Sequence, residues 1–103
     1  MYVLSLWHTV PDYAEWKKVF DSDPLGRERS GVRRYTITRP VDDERTVIGA
    51  LVFDTLLEAE AFAARLREMW EGPGSAVVAD AGLRISEVIE EKAFSREAER
   101  QAA

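Results

Sequence analysis

At 103 residues, 46% of them hydrophobic, the chain has the size and composition of one globular domain and is too apolar for disorder. Nineteen acidic against fourteen basic residues leave a net charge of −5 with no Arg/Lys cluster to offset it, so nucleic acid is not an expected partner. Cysteine is absent, which removes disulfides and thiolate chemistry, and no apolar run reaches membrane-spanning length. The opening Met1-Tyr2-Val3-Leu4 reads as a strand without a basic leader, and a cytoplasmic location without membrane contact is the expectation.

The first element is a strand near 2–9, because Tyr2 to Trp7 is apolar except for Ser5. Asp12 with Glu15 then has the form of a capping box, preceded by Pro11, and opens a helix near 12–22. Tyr13, Trp16, Val19 and Phe20 fall on one face of that helix. Asp23-Pro24-Leu25-Gly26 is its exit, and Gly31 is a hinge into a strand near 31–39. That strand mixes Arg33, Arg34, Thr36, Thr38 and Arg39 among its apolar residues, as sheet edges do. A hairpin loop, Pro40-Val41-Asp42-Asp43-Glu44, leads to a second apolar strand near 46–54.

Thr55 with Glu58 forms the next capping box, for a helix near 56–70. Its apolar stripe is Ala59, Phe62, Ala63, Leu66, Met69 and Trp70, and Glu71-Gly72-Pro73-Gly74 ends it. Ser75 to Gly82 reads as a linker of small residues with room for one helical turn. A last, charge-bearing strand follows near 83–90. The domain is thus expected over 1–91, with 92–103 a C-terminal tail or short helix.

The order strand, helix, strand, strand, helix, strand predicts an α+β, ferredoxin-like βαββαβ unit with a four-stranded antiparallel sheet in the order 4-1-3-2. The two greasy strands then occupy the centre and the two charged ones the edges. Two helices cover one face of such a sheet. Both faces of the central strands are apolar, with Tyr2, Leu4 and Leu6 against Val3 and Trp7 in the first, and Ile48, Ala50 and Val52 against Val47, Leu51 and Phe53 in the other. A homodimer through the face that the helices leave bare is therefore expected.

The stretch His8-Thr9-Val10-Pro11-Asp12-Tyr13-Ala14-Glu15-Trp16 resembles the opening of small bacterial members of the dimeric α/β-barrel superfamily. Phe53-Asp54-Thr55 running into Glu58-Ala59-Glu60-Ala61-Phe62 is similar to their second-helix entry, and the resemblance covers most of 1–91. It implies a dimeric barrel of two ferredoxin-like units. That superfamily holds cofactor-free antibiotic-biosynthesis monooxygenases, haem-degrading enzymes, polyketide cyclases, isomerases and stress-associated proteins, so it implies no single chemistry. The haem degraders generally draw an axial histidine from the second helix. Leu56 to Trp70 contains none, which departs from that pattern.

His8, the sole histidine, ends the first strand on the face of Leu4 and Leu6. It is read either as an acid/base or hydrogen-bonding group at a pocket or as a strand-end residue bonded near Asp12. Trp7, Trp16, Tyr35 and Trp70 are read either as the wall of a hydrophobic ligand pocket, with Trp16, Tyr35 and Trp70 shaping it, or as core. Asp12 is either an orienting partner for His8 or a helix cap, and Arg33, Arg34 and Arg39 are either carboxylate receivers or edge ion pairs. One histidine and no cysteine make a zinc or copper site unexpected, and no cofactor is expected. The functional expectation is a small-molecule-binding dimeric α/β-barrel protein. The alternative is a cofactor-independent monooxygenase-like or isomerase/cyclase-like enzyme, using His8 on a hydrophobic aromatic or polyketide-like molecule.

Overall fold

The computed structural model describes residues 1–96. The elements are β1 (Tyr2–Thr9), α1 (Tyr13–Ser22), β2 (Val32–Thr38), β3 (Thr46–Phe53), α2 (Leu56–Glu71) and β4 (Ala79–Glu87), with a 3-10 turn at Pro73–Ala76. The sheet order is β2-β3-β1-β4, and every neighbouring pair is antiparallel. This is the ferredoxin-like arrangement, with the two apolar strands in the centre.

Local chemistry explains where the helices begin. The Asp12 carboxylate accepts the Glu15 N–H at 3.3 Å, and the Thr55 hydroxyl accepts the Glu58 N–H at 3.2 Å while donating to the Glu58 carboxylate at 2.9 Å. Each cap satisfies a backbone donor that the first helical turn leaves without a partner. Asp23, in the left-handed conformation at φ 52°, closes α1 by donating its N–H to the Phe20 carbonyl at 3.1 Å.

Strand alternation then sorts the side chains. Leu4, Leu6 and His8 of β1 face the helices with Val47, Leu51 and Phe53 of β3, and all six are buried. They pack in two groups. Leu4, Leu6, Leu51 and Phe53 meet Phe62, Ala59 and Ala63 of α2, whereas Val47 meets Val10 and Trp16 of α1. The other sheet face carries Val3, Trp7, Ile48, Ala50 and Val52, paired across β1 and β3, and no helix covers it. Trp7 and Ile48 are each 40% exposed there.

One element departs from the sequence reading, at both of its ends. The last strand spans Ala79–Glu87 instead of 83–90, so half of the expected linker is strand. Glycine suits position 82 on that edge because the Trp7 indole lies across it. A Cβ on Gly82 would stand 2.5 Å from an indole carbon. At the other end Val88 continues the pairing with β1, donating to the Met1 carbonyl at 3.0 Å, and Glu91 reaches to within 3.7 Å of Arg34 on β2. The expected tail or short helix over 92–103 falls largely outside the described residues.

Candidate functional site

The two core groups do not close on one another, and between them lies a cavity of about 80 Å³. The sheet forms its floor through Leu6, His8, Ile37 and Leu51. Trp16, Val19 and Phe20 of α1 form one wall, and Phe62, Leu66, Met69 and Trp70 of α2 the other. Val77 and Val78, after the 3-10 turn, also line it, as do Asp23, Pro24, Leu25 and Arg27. Its lining grades from buried residues on the sheet to the exposed Pro24 and half-buried Arg27, which mark the outer end.

His8 is the one polar side chain among the buried residues of that lining, 3% exposed. Strand alternation turns it to the helix side, and the helices bring two indoles to it. The Trp16 ring lies 5.5 Å away at 56°, and Trp70 meets it edge-on at 5.9 Å. Its Nδ1 is buried without a hydrogen-bond partner. Burial drives its pKa from 6.5 down to about 4, against a smaller opposing effect of its own backbone. At neutral pH the imidazole is therefore uncharged, with both donor and acceptor character.

Of the residues singled out in the sequence, His8, Trp16 and Trp70 meet at the cavity. Tyr35 does not line it. It lies on edge strand β2, 46% exposed, and packs edge-on against Phe20 at 5.3 Å, so that it reaches the cavity only through that ring. Asp12 is occupied as the α1 cap and leaves His8 Nδ1 unpaired. The arginines are also engaged. Arg33 pairs with Asp54 at 2.6 Å, Arg34 approaches Glu91, and Arg39 lies over the Tyr13 ring at 5.1 Å. Among the described residues no cluster of three or more His, Cys, Asp or Glu side chains could hold a metal ion. No helix among them is long and apolar enough to cross a membrane.

Sequence reasoning missed Arg27 and the Val77–Val78 pair. Nothing in the linear pattern marks Arg27, because its approach depends on the left-handed turn at Asp23. Val77 and Val78 carried a usable signal, being an apolar pair inside a stretch of small residues.

No protein-family model matches the chain, and no curated protein matches it by sequence. Solved structures do match it. A protein from Deinococcus radiodurans, provisionally described as an antibiotic biosynthesis monooxygenase, superposes with a TM-score of 0.73 at 11% identity, over 91% of this chain and 98% of that one. SnoaB, a cofactor-independent oxygenase from Streptomyces nogalater, gives a TM-score of 0.69 at 16% identity, covering 87% and 94%. The haem degrader MhuD from Mycobacterium tuberculosis, solved with two haems in its active site, gives 0.62 at 23%, covering 90% and 100%. At these identities the likeness establishes a shared ferredoxin-like fold.

Haem does not fit the residues present here. α2 carries no histidine, and the one imidazole in the chain is wedged between two indoles beside a cavity of about 80 Å³.

Proposed function

We propose that the protein is a homodimer that binds a small aromatic molecule in the cavity between sheet and helices. The observation that carries this reading is a neutral, buried imidazole with an unpaired nitrogen in the wall of an otherwise apolar cavity. Nδ1 is closed off by its neighbours, so a ligand hydroxyl reaches it only as a wall residue shifts; a buried polar atom without a partner costs about 1–3 kcal/mol, which that bond would recover. Trp16 and Trp70 provide ring faces and edges for stacking. The cavity is smaller than the ~150 Å³ known to accept benzene. A ring therefore enters with displacement of a wall residue, and unbranched Met69 is the one that moves at least cost.

Catalysis with His8 as general base is the weaker reading. An imidazole whose pKa is about 4 is a poor proton acceptor at neutral pH, where effective bases titrate near 7. A directional hydrogen bond is what this group does well.

Dimerisation is supported by the uncovered sheet face. Four strands spaced about 4.8 Å apart and about 26 Å long present a footprint of at most about 500 Å², part of which, at Val52, is already buried within the chain. Two such faces together bury at most about 1,000 Å², the lower bound for a specific interface. The exposed Trp7 and Ile48 lie on that face, and a large aromatic is a typical interface anchor.

The test of the binding reading is a titration with phenol and with toluene, followed through the indole N–H resonances of the three tryptophans. Trp16 and Trp70 should shift while Trp7, on the opposite sheet face, stays put. Phenol should bind more tightly than toluene, and His8→Phe should abolish that preference. If neither compound moves Trp16 and Trp70 up to its solubility limit, the reading is wrong.

A further inference from the structure

We infer that the outer end of the cavity is an acid-receiving subsite, where Arg27 takes the carboxylate of an aromatic acid whose ring lies inside. This rests on the cavity-binding reading above and specifies the ligand class.

The subsite is built by the turn that ends α1. Asp23 caps the helix in the left-handed conformation, and its carboxylate accepts the Arg27 N–H at 2.9 Å. Gly26, at φ +60°, lets the chain fold back. Arg27 is thereby laid over Phe20, its guanidinium carbon 3.9 Å from the ring centre, and Nη1 donates to the Phe20 carbonyl at 2.9 Å. The side chain is only 18% exposed.

That guanidinium is incompletely satisfied. The Asp23 carboxylate stands 3.6 Å from Nε, beyond hydrogen-bonding distance, and among the described residues the Phe20 carbonyl is the only acceptor the Arg27 guanidinium reaches with a hydrogen bond. An arginine carries five N–H donors and stays charged at any physiological pH. Most of its donors are therefore available in a half-buried setting beside an aromatic cavity. A planar carboxylate fits a guanidinium with two parallel hydrogen bonds.

The charge at this end selects the kind of anion. Asp23 already offsets Arg27, so a monoanion is accommodated better than a doubly charged phosphate group. The inner end selects the orientation. His8 is neutral and buried among indoles, so a carboxylate placed there would go uncompensated. The ring goes in first and the acid stays at Arg27.

Benzoate and benzamide test this, since they differ in charge and hardly in shape. Each is titrated into the protein at pH 7 and low ionic strength, with the Trp16 and Trp70 indole resonances reporting occupancy and Trp7 as the control. Benzoate is expected to bind roughly tenfold more tightly than benzamide, as a charge-assisted contact would give. In Arg27→Gln the two affinities should converge to within about twofold. In Asp23→Asn, which retains a side-chain oxygen for the turn, the preference for benzoate should widen, and this variant carries the test if Arg27→Gln does not fold. Equal affinities in the wild-type protein, or a preference that survives Arg27→Gln, would overturn the subsite and leave the cavity reading intact. If neither compound moves Trp16 and Trp70, the cavity reading fails and the subsite falls with it.

Discussion

Acidification from pH 7 to pH 5 should destabilise the protein by about 2 kcal/mol through His8 alone. Folding lowers the His8 pKa from 6.5 to about 4 because the ring leaves water for a space between two indoles. Above pH 6.5 the imidazole is neutral whether the chain is folded or not, and it contributes no pH dependence. Between pH 6.5 and 4 the unfolded chain binds a proton that the folded chain refuses, so stability rises with pH across that window and is lost as pH falls. Each unit of pKa difference is worth about 1.4 kcal/mol, which gives about 2 kcal/mol by pH 5 and about 3 kcal/mol by pH 4. His8 is the only histidine, so little else titrates between pH 5 and 7. Urea unfolding at fixed protein concentration is the assay. With a slope of roughly 1–3 kcal/mol per molar, the midpoint should fall by about 1–2 M urea between pH 7 and pH 5. His8→Phe should remove most of that fall. Equal midpoints at the two pH values, or an unchanged fall in His8→Phe, would refute the burial argument.

Ala50→Lys, which puts a charge in the middle of the uncovered sheet face, should convert a dimer to a monomer in light scattering and lower the melting temperature at the same time. Gly82→Ala should push the Trp7 indole off β4, since the new methyl would lie 2.5–2.7 Å from three of its atoms. A changed tryptophan emission spectrum and a loss of roughly 1 kcal/mol in urea unfolding are expected. Thr55→Ala removes the α2 cap and should cost about 1 kcal/mol, read as a fall of about 4 °C in the thermal midpoint by circular dichroism. Gly31→Ala should be more damaging than an ordinary loop substitution, because φ there is +100° and the new methyl would meet the Glu58 carboxylate; a stability equal to wild type would refute that.

The elements and their order were legible in the amino-acid sequence because each is specified within a few residues of itself. Asp12–Glu15 and Thr55–Glu58 mark helix starts through hydrogen bonds that span three residues, and those bonds are present. The unbroken apolar runs in β1 and β3 separated central from edge strands, since charge is tolerated only where a strand meets solvent. Alternation was enough to put His8 on the face of Leu4 and Leu6, and helical spacing to put Trp16 and Trp70 on apolar stripes. What those residues do to one another was settled by packing. The two helices meet the sheet through separate clusters, and the gap between the clusters is a property of three elements distant in sequence. The cavity follows from that gap, and the unpaired Nδ1 and the depressed pKa follow from the burial of His8 between two indoles carried by different helices. The same holds for what the sequence left open or misread. Ala79–Gly82 looked like linker because small side chains carry no strand pattern, and only packing lays the Trp7 indole across Gly82; Tyr35, read as pocket wall or core, stands behind Phe20. Hydrogen bonds of short reach and side-chain periodicity are written in the chain locally, whereas burial depends on which distant surfaces come to rest against each other.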